Sequence, residues 1–223
     1  MRIGLLFSAL LLSSLVVPVV SLLSADQALA LSVRGPIYIG SNADFTPANG
    51  VVAGSGTEND PYIIENWDIS AENAHGIWIK NTDAHFVIRN CYIHDGWSGA
   101  NTGIYFYFVR NGRIDNVVVE NNWTGIDFSY SDNNKILESL IQNNYMGIGL
   151  GSYSENNLIS NIVVRNSSRG GVSIGTGCNN NTILGSTVNN NGGDGIFIGY
   201  CSNNTVFSSI SENNIGSGIW LDR

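Results

Sequence analysis

Apolar and polar residues alternate along this chain in short stretches that recur over most of its length. Each repeat opens with a glycine and a branched apolar residue, and the next apolar residue lies two positions later, as in Gly147-Ile148-Gly149-Leu150. A period of two predicts a β-strand with one buried face. The openings are Gly76-Ile77, Gly103-Ile104, Gly125-Ile126, Gly147-Ile148, Gly171-Val172, Gly195-Ile196 and Gly218-Ile219, separated by 27, 22, 22, 24, 24 and 23 residues.

Units of this length cannot each bury an apolar face alone, but stacked units share one continuous core. Every repeat has room for three short strands and their turns, and its Asn, Gly and Ser content disfavours helix. The sequence therefore predicts an all-β fold, a parallel β-helix of about seven to eight coils spaced by about 4.8 Å. A leucine-rich repeat is the alternative, but it requires leucine at fixed positions, where Ile and Val dominate here.

Asparagine recurs at the end of the turn that follows the opening strand. Asn tolerates left-handed backbone, and stacked amide side chains can hydrogen-bond along a column. We therefore expect both properties at these turn ends. The residues concerned are Asn134, Asn157, Asn181 and Asn204.

The order Gly-Ile-x-Ile, Asn-Asn, a branched pair and a further Asn resembles the right-handed parallel β-helix repeats of the NosD-like and pectate-lyase-like superfamily. Residues 54–64, GSGTENDPYII, are similar to the opening of secreted NosD-like proteins. The resemblance covers roughly residues 37 to 223 and implies a right-handed coil. It implies little about activity, because this superfamily contains lyases, hydrolases, glycan binders and accessory proteins.

Residues 1–30 have the pattern of a signal peptide. Arg2 is followed by an uncharged run from residue 3 to residue 23, and Ala28-Leu29-Ala30 fits a cleavage site. The run is also long enough for a retained membrane anchor. Either case predicts that the rest of the chain is secreted, periplasmic or at the cell surface.

The remaining sequence divides into two parts. Residues 31–60 contain prolines and glycines and predict an N-terminal cap with first strands. Residues 61–223 predict the β-helix repeats, with no proline after Pro61, as a hydrogen-bonded ladder requires. The sequence stops at Arg223 within a predicted strand, so we expect further coils or another chain to cover that end.

The net charge of −8 disfavours nucleic acid and anionic membrane surfaces as partners. Contact with a membrane is expected only through residues 1–30, if they are retained.

Alternation places a group of large side chains outward on the first opening strands. Aromatic faces beside a carboxylate and an amine suit sugar rings, which predicts a glycan-binding surface. The alternative is ordinary cross-strand packing, or cover by the loop that carries Trp97. The predicted ligand-binding residues are Trp78, Lys80, Tyr105, Tyr107 and Asp127.

A second column lies in the turn after the opening strand and includes Asp83, Arg110, Asp132 and Glu155. Neighbouring carboxylates can raise a pKa or hold Ca²⁺, although a solvated turn column is the plainer interpretation. Glycoside hydrolysis requires two facing carboxylates, and Asp127 has none beside it on its own face. Asp127, Asp132 and Glu155 are thus weak catalytic candidates, and the sequence favours a protein without catalysis.

Copper is the other association of the family. His75, His85 and His94 are the only histidines, and their spacing fits no ligand motif. We predict no metal site and no cofactor, with Ca²⁺ as the one alternative.

Cys178 and Cys201 each lie three residues before the last Asn of their turn, where earlier repeats have Ser131 and Ser154. Consecutive coils should therefore place their Cα atoms about 4.8 Å apart, within the reach of a disulfide. Stacked side chains run parallel, so we predict adjacent, mostly buried sulfurs for which a bond is allowed but not required.

Four functions remain open. We favour an exported protein that binds a polysaccharide or glycan without catalysis. The alternatives are a polysaccharide lyase or glycoside hydrolase, a structural surface-layer or adhesion module, and a NosD-like copper-accessory protein.

Overall fold

Each repeat folds into three short strands separated by turns, as the alternation predicts. The computed structural model describes residues 31–222. Its strands form three eight-stranded sheets, and each coil adds one strand to each sheet. We call these the opening, second and third sheets, in the order in which a coil visits them. The predicted signal peptide lies outside the described residues.

The opening sheet contains Ile37–Ile39, Ile77–Thr82, Thr102–Val109, Thr124–Ser129, Met146–Gly151, Val172–Ile174, Ile196–Gly199 and Ile219–Asp222. The second sheet contains Val51–Ala53, Tyr62–Glu65, Phe86–Arg89, Gly112–Asp115, Lys135–Leu137, Leu158–Ser160, Thr182–Leu184 and Thr205–Phe207. The third sheet contains Ser32–Arg34, Trp67–Ser70, Tyr92–His94, Val118–Glu120, Leu140–Gln142, Val163–Arg165, Thr187–Asn189 and Ile210–Glu212. The fold is thus an all-β, parallel β-helix of about seven coils.

Residues 31–53 supply the first strand of every sheet. Ser32–Arg34 and Ile37–Ile39 pair in parallel with the next coil, whereas Val51–Ala53 pairs antiparallel with Tyr62–Glu65. Two short 3₁₀ helices, Asn42–Asp44 and Pro47–Asn49, lie between Ile37–Ile39 and Val51–Ala53. That this segment acts as a cap stays a prediction.

Strand pairing follows the register derived from the openings. Ile126 pairs with Ile104 and Ile148, and Asp127 pairs with Tyr105 and Gly149. The isoleucines point inward and are fully buried, so their column fills the core along the axis. Phe106 and Phe128 stack within this core, with ring centroids 4.7 Å apart.

Glycine is required at the openings because neighbouring coils approach closely there. A Cβ atom on Gly125 would lie 2.6 Å from the carbonyl oxygen of Gly147 and 2.6 Å from Ile141. Cβ atoms essentially never lie so close to backbone, so any larger residue would force the neighbouring coil to shift. The opening glycine therefore marks a close contact, not a turn.

A buried ladder of asparagine side chains holds successive coils in register. The amide oxygen of Asn157 accepts a hydrogen bond of 2.9 Å from the backbone N–H of Asn134, and that of Asn181 accepts one of 2.8 Å from the N–H of Asn157. The Asn157 Nδ2 atom also donates to the carbonyl of Ser131, 2.9 Å away. Buried backbone groups at this corner thus obtain their partners from the next coil.

The predicted left-handed backbone belongs to a different residue from the one expected. Asn156, which precedes the ladder residue Asn157, has φ of 58°, and Asn133, Asn180 and Asn203 occupy the matching sites. The ladder residues are absent from the positive-φ set of residues 31–222. In each Asn-Asn pair, therefore, the first residue adopts the left-handed backbone of the turn, and the side chain of the second hydrogen-bonds to the neighbouring coil.

Cys178 occupies the corner position of Ser154. Both side chains donate to the opening strand of the preceding coil, Cys178 Sγ to Leu150 O over 3.4 Å and Ser154 Oγ to Phe128 O over 3.2 Å. Cys201 follows one coil later, and the Asn204 amide contacts both Cys201 Sγ and Cys178 O. Both cysteines are free thiols. Burial raises the pKa of each, so both are protonated near neutral pH.

The last coil is the most exposed part of the described stack. Leu221 is 69% exposed, whereas Ile198, its partner one coil earlier, is 8% exposed. Within residues 31–222, no helix is long and apolar enough to cross a membrane.

Replacing a ladder asparagine tests the role of the corner hydrogen bonds. We expect Asn157→Ala to lower the free energy of unfolding by about 2–4 kcal/mol, because it leaves a buried N–H and a buried carbonyl without partners. Chemical denaturation followed by circular dichroism measures this loss. The adjacent Asn156→Gly is the control, since glycine accepts its left-handed backbone, and it should change stability by less than about 0.5 kcal/mol. Equal losses in both variants would contradict the ladder account.

Candidate functional site

The outward side of the opening sheet brings together the five residues predicted to bind a ligand. Trp78 pairs with Tyr105, which pairs with Asp127, while Lys80 pairs with Tyr107 in the next outward column. Each of the five is partly exposed. We call this group, together with Tyr38, the opening-sheet face.

Aromatic rings form a continuous row at one end of this face. Trp78 stacks on Tyr105 with centroids 6.0 Å apart, and Tyr38 packs edge-on against Trp78 at 5.1 Å. The Lys80 ammonium lies 5.1 Å from the Trp78 ring and 5.3 Å from the Tyr38 ring. The predicted cross-strand packing is therefore present, and it leaves Tyr38 and the rims of the other rings open to solvent.

His75 joins this face although no sequence pattern includes it among the predicted binding residues. Its ring lies 5.4 Å from Trp78 and 5.3 Å from Tyr105. Its Nδ1 atom accepts a hydrogen bond from the backbone N–H of Thr102, 2.9 Å away. Burial lowers the pKa of His75, which favours the neutral ring. A neutral ring with Nδ1 as acceptor presents Nε2–H as a donor.

Asp127 is the carboxylate of the face. Burial raises its pKa from 3.8 to about 6. Among residues 31–222, none donates a hydrogen bond or an ion pair to its carboxylate within the usual limits, so nothing offsets this desolvation. An acidic group whose pKa approaches neutrality can exchange a proton near physiological pH.

A floor of small residues continues the face beyond Asp127. Gly149 and Ser173 follow it in the same column, and Phe197 closes the column on the far side. Asp127 and Phe197 are three coil steps apart, about 14 Å. A Cβ atom on Gly149 would lie 3.4 Å from the Asp127 carboxylate, so with glycine here no side chain from this position covers the carboxylate.

The turn column uses its carboxylates to join neighbouring coils. One oxygen of Asp132 accepts the backbone N–H of Glu155 at 3.0 Å, and the other lies 3.4 Å from Arg110 Nε. Glu155 in turn accepts a 2.8 Å bond from the Asn179 amide. The column therefore has the bonding pattern of a structural turn.

The histidines do not converge. His94 bonds through Nε2 to Asp68 at 2.8 Å and through Nδ1 to Asp95 at 2.7 Å. Burial alone would lower the pKa of His94, but the bonds to these two carboxylates outweigh burial and raise it. Across residues 31–222 there is no group of three His, Cys, Asp or Glu side chains arranged to hold a metal ion.

Trp97 does not pack on the opening-sheet face. Its ring lies 6.4 Å from Trp123 and 6.1 Å from Tyr145, at the turn that precedes the opening strands. Trp123 and Tyr145 stack at 4.2 Å. The insertion after Asp95 therefore builds a separate aromatic cluster.

Comparison with known families agrees with this architecture. The profile described as "Right handed beta helix region" matches residues 38–180 and 140–223. This chain belongs to the right-handed β-helix family. Membership confirms the predicted fold and its hand, while the finer resemblance to NosD-like proteins stays a prediction. Among curated proteins, none matches this sequence.

Several solved structures share the β-helix. A mutant of the periplasmic alginate epimerase AlgG superposes with a TM-score of 0.66 and 20% identity, covering 72% of this chain and 38% of that chain. The pectate lyase Pel9A superposes with a TM-score of 0.60 and 13% identity, covering 80% of this chain and 52% of that chain. The enzymatically active domain of bacteriophage CBA120 tailspike protein 2 gives 0.64 and 16%, covering 85% and 32%. These likenesses concern the fold, and this β-helix spans about a third to half of each of those chains.

The ionised carboxylate of Asp127 lowers the stability of the folded β-helix. The folded pKa of Asp127 exceeds its unfolded value, so stability is lost as pH rises from about 3.8 through about 6. We expect Asp127→Asn to be more stable than the natural protein by up to about 3 kcal/mol above pH 7 and equally stable near pH 3. Denaturation at a series of pH values measures the difference. A constant difference across pH, or a destabilised variant at pH 8, would contradict the raised pKa.

Proposed function

We propose that this β-helix protein binds a polysaccharide on the opening-sheet face, without catalysis of its own. The observation that carries the proposal is the row of Tyr38, Trp78 and Tyr105 beside Lys80 and Asp127, followed by a floor of small residues. Aromatic rims, an ammonium, a carboxylate and an open floor form an elongated surface along the coil axis.

The chemistry of this surface matches that of a sugar chain. A pyranose has apolar C–H faces that pack on aromatic rings, and hydroxyls that exchange hydrogen bonds with charged groups. Lys80 donates, ionised Asp127 accepts, and neutral His75 offers Nε2–H. The floor from Gly149 to Ser173 gives space for rings beyond the aromatic row.

The named activities of the solved structures support the same ligand class. An alginate epimerase and a pectate lyase act on polysaccharides by their names, and both use a β-helix. A surface for such a ligand also fits the predicted export, since polysaccharides of this kind lie outside the cytoplasm. We therefore propose that the protein lies in the periplasm, at the cell surface or outside the cell.

A second candidate function is polysaccharide cleavage at Asp127. Its favouring observation is the raised pKa of an unpaired carboxylate that neighbours Tyr105. Such a group can act as a general acid or base near neutral pH. Asp132 and Glu155 lie in the turn column and are bound to neighbouring turns, so they do not complete a two-carboxylate pair on this face.

Binding is tested by affinity electrophoresis in gels that contain alginate, pectate or the neutral glucan laminarin. We expect Trp78→Ala and Tyr105→Ala to weaken retention in at least one gel by about tenfold or more, because each removes an aromatic platform. Trp123→Ala is the control, since it removes an exposed ring from the separate cluster. Retention of the natural protein in none of the gels, or equal losses in all three variants, would exclude this face.

Cleavage is tested on the same polysaccharides by assays for reducing ends and unsaturated products. The binding proposal predicts no product from the natural protein. Product that disappears in Asp127→Asn would establish the second candidate, because the amide cannot transfer the proton. Asp132→Asn serves as the control acid outside the face.

A further inference from the structure

We infer that a second sugar subsite lies around the corner from the opening-sheet face, in a cleft built against Phe108 and Tyr130. The inference rests on the proposed function, because it extends the path of the same polysaccharide. The cleft has a volume of about 410 Å³ and is lined by Asn81, Thr82, Asp83, Phe108, Arg110 and Tyr130. Its volume lies within the range of small-molecule sites.

The two rings stand on backbone that bulky residues rarely adopt. Phe108 has φ of 55° and Tyr130 has φ of 51°. Asn81 holds the same position in the preceding coil, one residue after the paired Lys80, Tyr107 and Ser129, and has φ of 52°. The left-handed turn is therefore imposed by the coil, whereas the choice of an aromatic residue there is not. Bulky residues in this region are outliers that cluster at functional sites.

Burial does not explain the two rings. Phe108 is 47% exposed and Tyr130 is 39% exposed. They stack on one another at 4.8 Å with planes 12° apart, so each covers one face of the other. Both rings line the cleft together with Asn81 and Asp83. Stacking of a ligand on this exposed apolar wall would offset the cost of its left-handed backbone.

Polar groups in the cleft are held in place before any ligand arrives. The Asn42 amide donates a 2.9 Å hydrogen bond to the Asp83 carboxylate, and the Asn111 amide donates to the Asp83 carbonyl at 2.8 Å. The bond from Asn42 lowers the pKa of Asp83, so its carboxylate is ionised. Arg110 lies on the rim, 3.4 Å from Asp132. One fixed acceptor and one donor beside an aromatic wall suit the hydroxyls and the C–H face of a single pyranose.

Tyr107 connects the cleft to the opening-sheet face. Its ring lies 6.3 Å from Tyr105 on that face, 4.6 Å from Phe108 and 5.9 Å from Tyr130. A glycan on the face can therefore continue over Tyr107 and place its next ring in the cleft. The subsite thus binds one sugar unit of the chain that the face holds.

The test replaces each ring by the residue that the preceding coil already uses. We expect Phe108→Asn and Tyr130→Asn to keep the melting temperature or raise it, because Asn tolerates left-handed backbone. Both should weaken retention about tenfold in the alginate, pectate or laminarin gel that retains the natural protein. Tyr200→Asn is the control, with φ of 55° and 60% exposure at the same corner but outside the cleft.

A second variant keeps both rings and removes only charge. We expect Asp83→Asn to weaken retention about fivefold, since a hydrogen bond to a charged acceptor is replaced by one to a neutral acceptor. Retention unchanged in all three cleft variants, while Trp78→Ala loses it, would overturn the subsite and leave the face intact. A fall in melting temperature with unchanged retention would mean that the two rings serve packing only, and it would also overturn the subsite. If no gel retains the natural protein, the proposed function fails together with the subsite.

Discussion

Hydrogen bonds between one coil and the next, made by buried asparagine amides, are the constraint on which the structure depends. Strands of the second and third sheets have only three or four residues each, and each corner adds specific bonds between coils. The side-chain amides of Asn134, Asn157 and Asn181 each accept a hydrogen bond from a backbone N–H in the preceding coil. A second ladder at the corner before the opening strands includes Asn122, Asn144 and Asn191, all buried. Because every ladder amide hydrogen-bonds to a neighbouring coil, the spacing of the coils does not depend on which residues point outward.

This rigidity frees the outer surface for other uses. Inward columns consist mainly of isoleucine, valine and phenylalanine, but an outward column can change residue at each coil without altering the backbone. Tyr38, Trp78, Tyr105, Asp127 and Gly149 succeed one another in a single column. The result is a row of chemically different groups about 4.8 Å apart along the coil axis. The Asp127 carboxylate, which has no hydrogen-bond partner among residues 31–222, stands on a strand that backbone pairing holds to both neighbouring coils.

The sequence predicted the columns correctly because two periods act together. The strand period of two decides which residues point outward, and the repeat length decides which residues stack. Both are visible in the openings, so the neighbours of Tyr105 and Asp127 could be named before the structure. The division of labour within Asn-Asn pairs could not, since both members are the same residue and only backbone angles separate them. His75 was missed because it lies in a turn, where no period applies. The cleft beside Phe108 was missed because a left-handed aromatic residue has no signature in sequence.

The central claim is that a glycan contacts the opening-sheet face, and the indole N–H groups report on it most directly. The chain has five tryptophans, of which Trp78 alone belongs to the face. Its Nε1 atom is buried and has no hydrogen-bond partner among residues 31–222, whereas that of Trp67 donates to the Gly50 carbonyl. Nitrogen-15 spectra recorded during titration with alginate and pectate oligosaccharides resolve these positions. The account predicts that the Trp78 resonance shifts with saturation while those of Trp67 and Trp123 stay still. A stationary Trp78 resonance beside a shifting Trp123 resonance would contradict it.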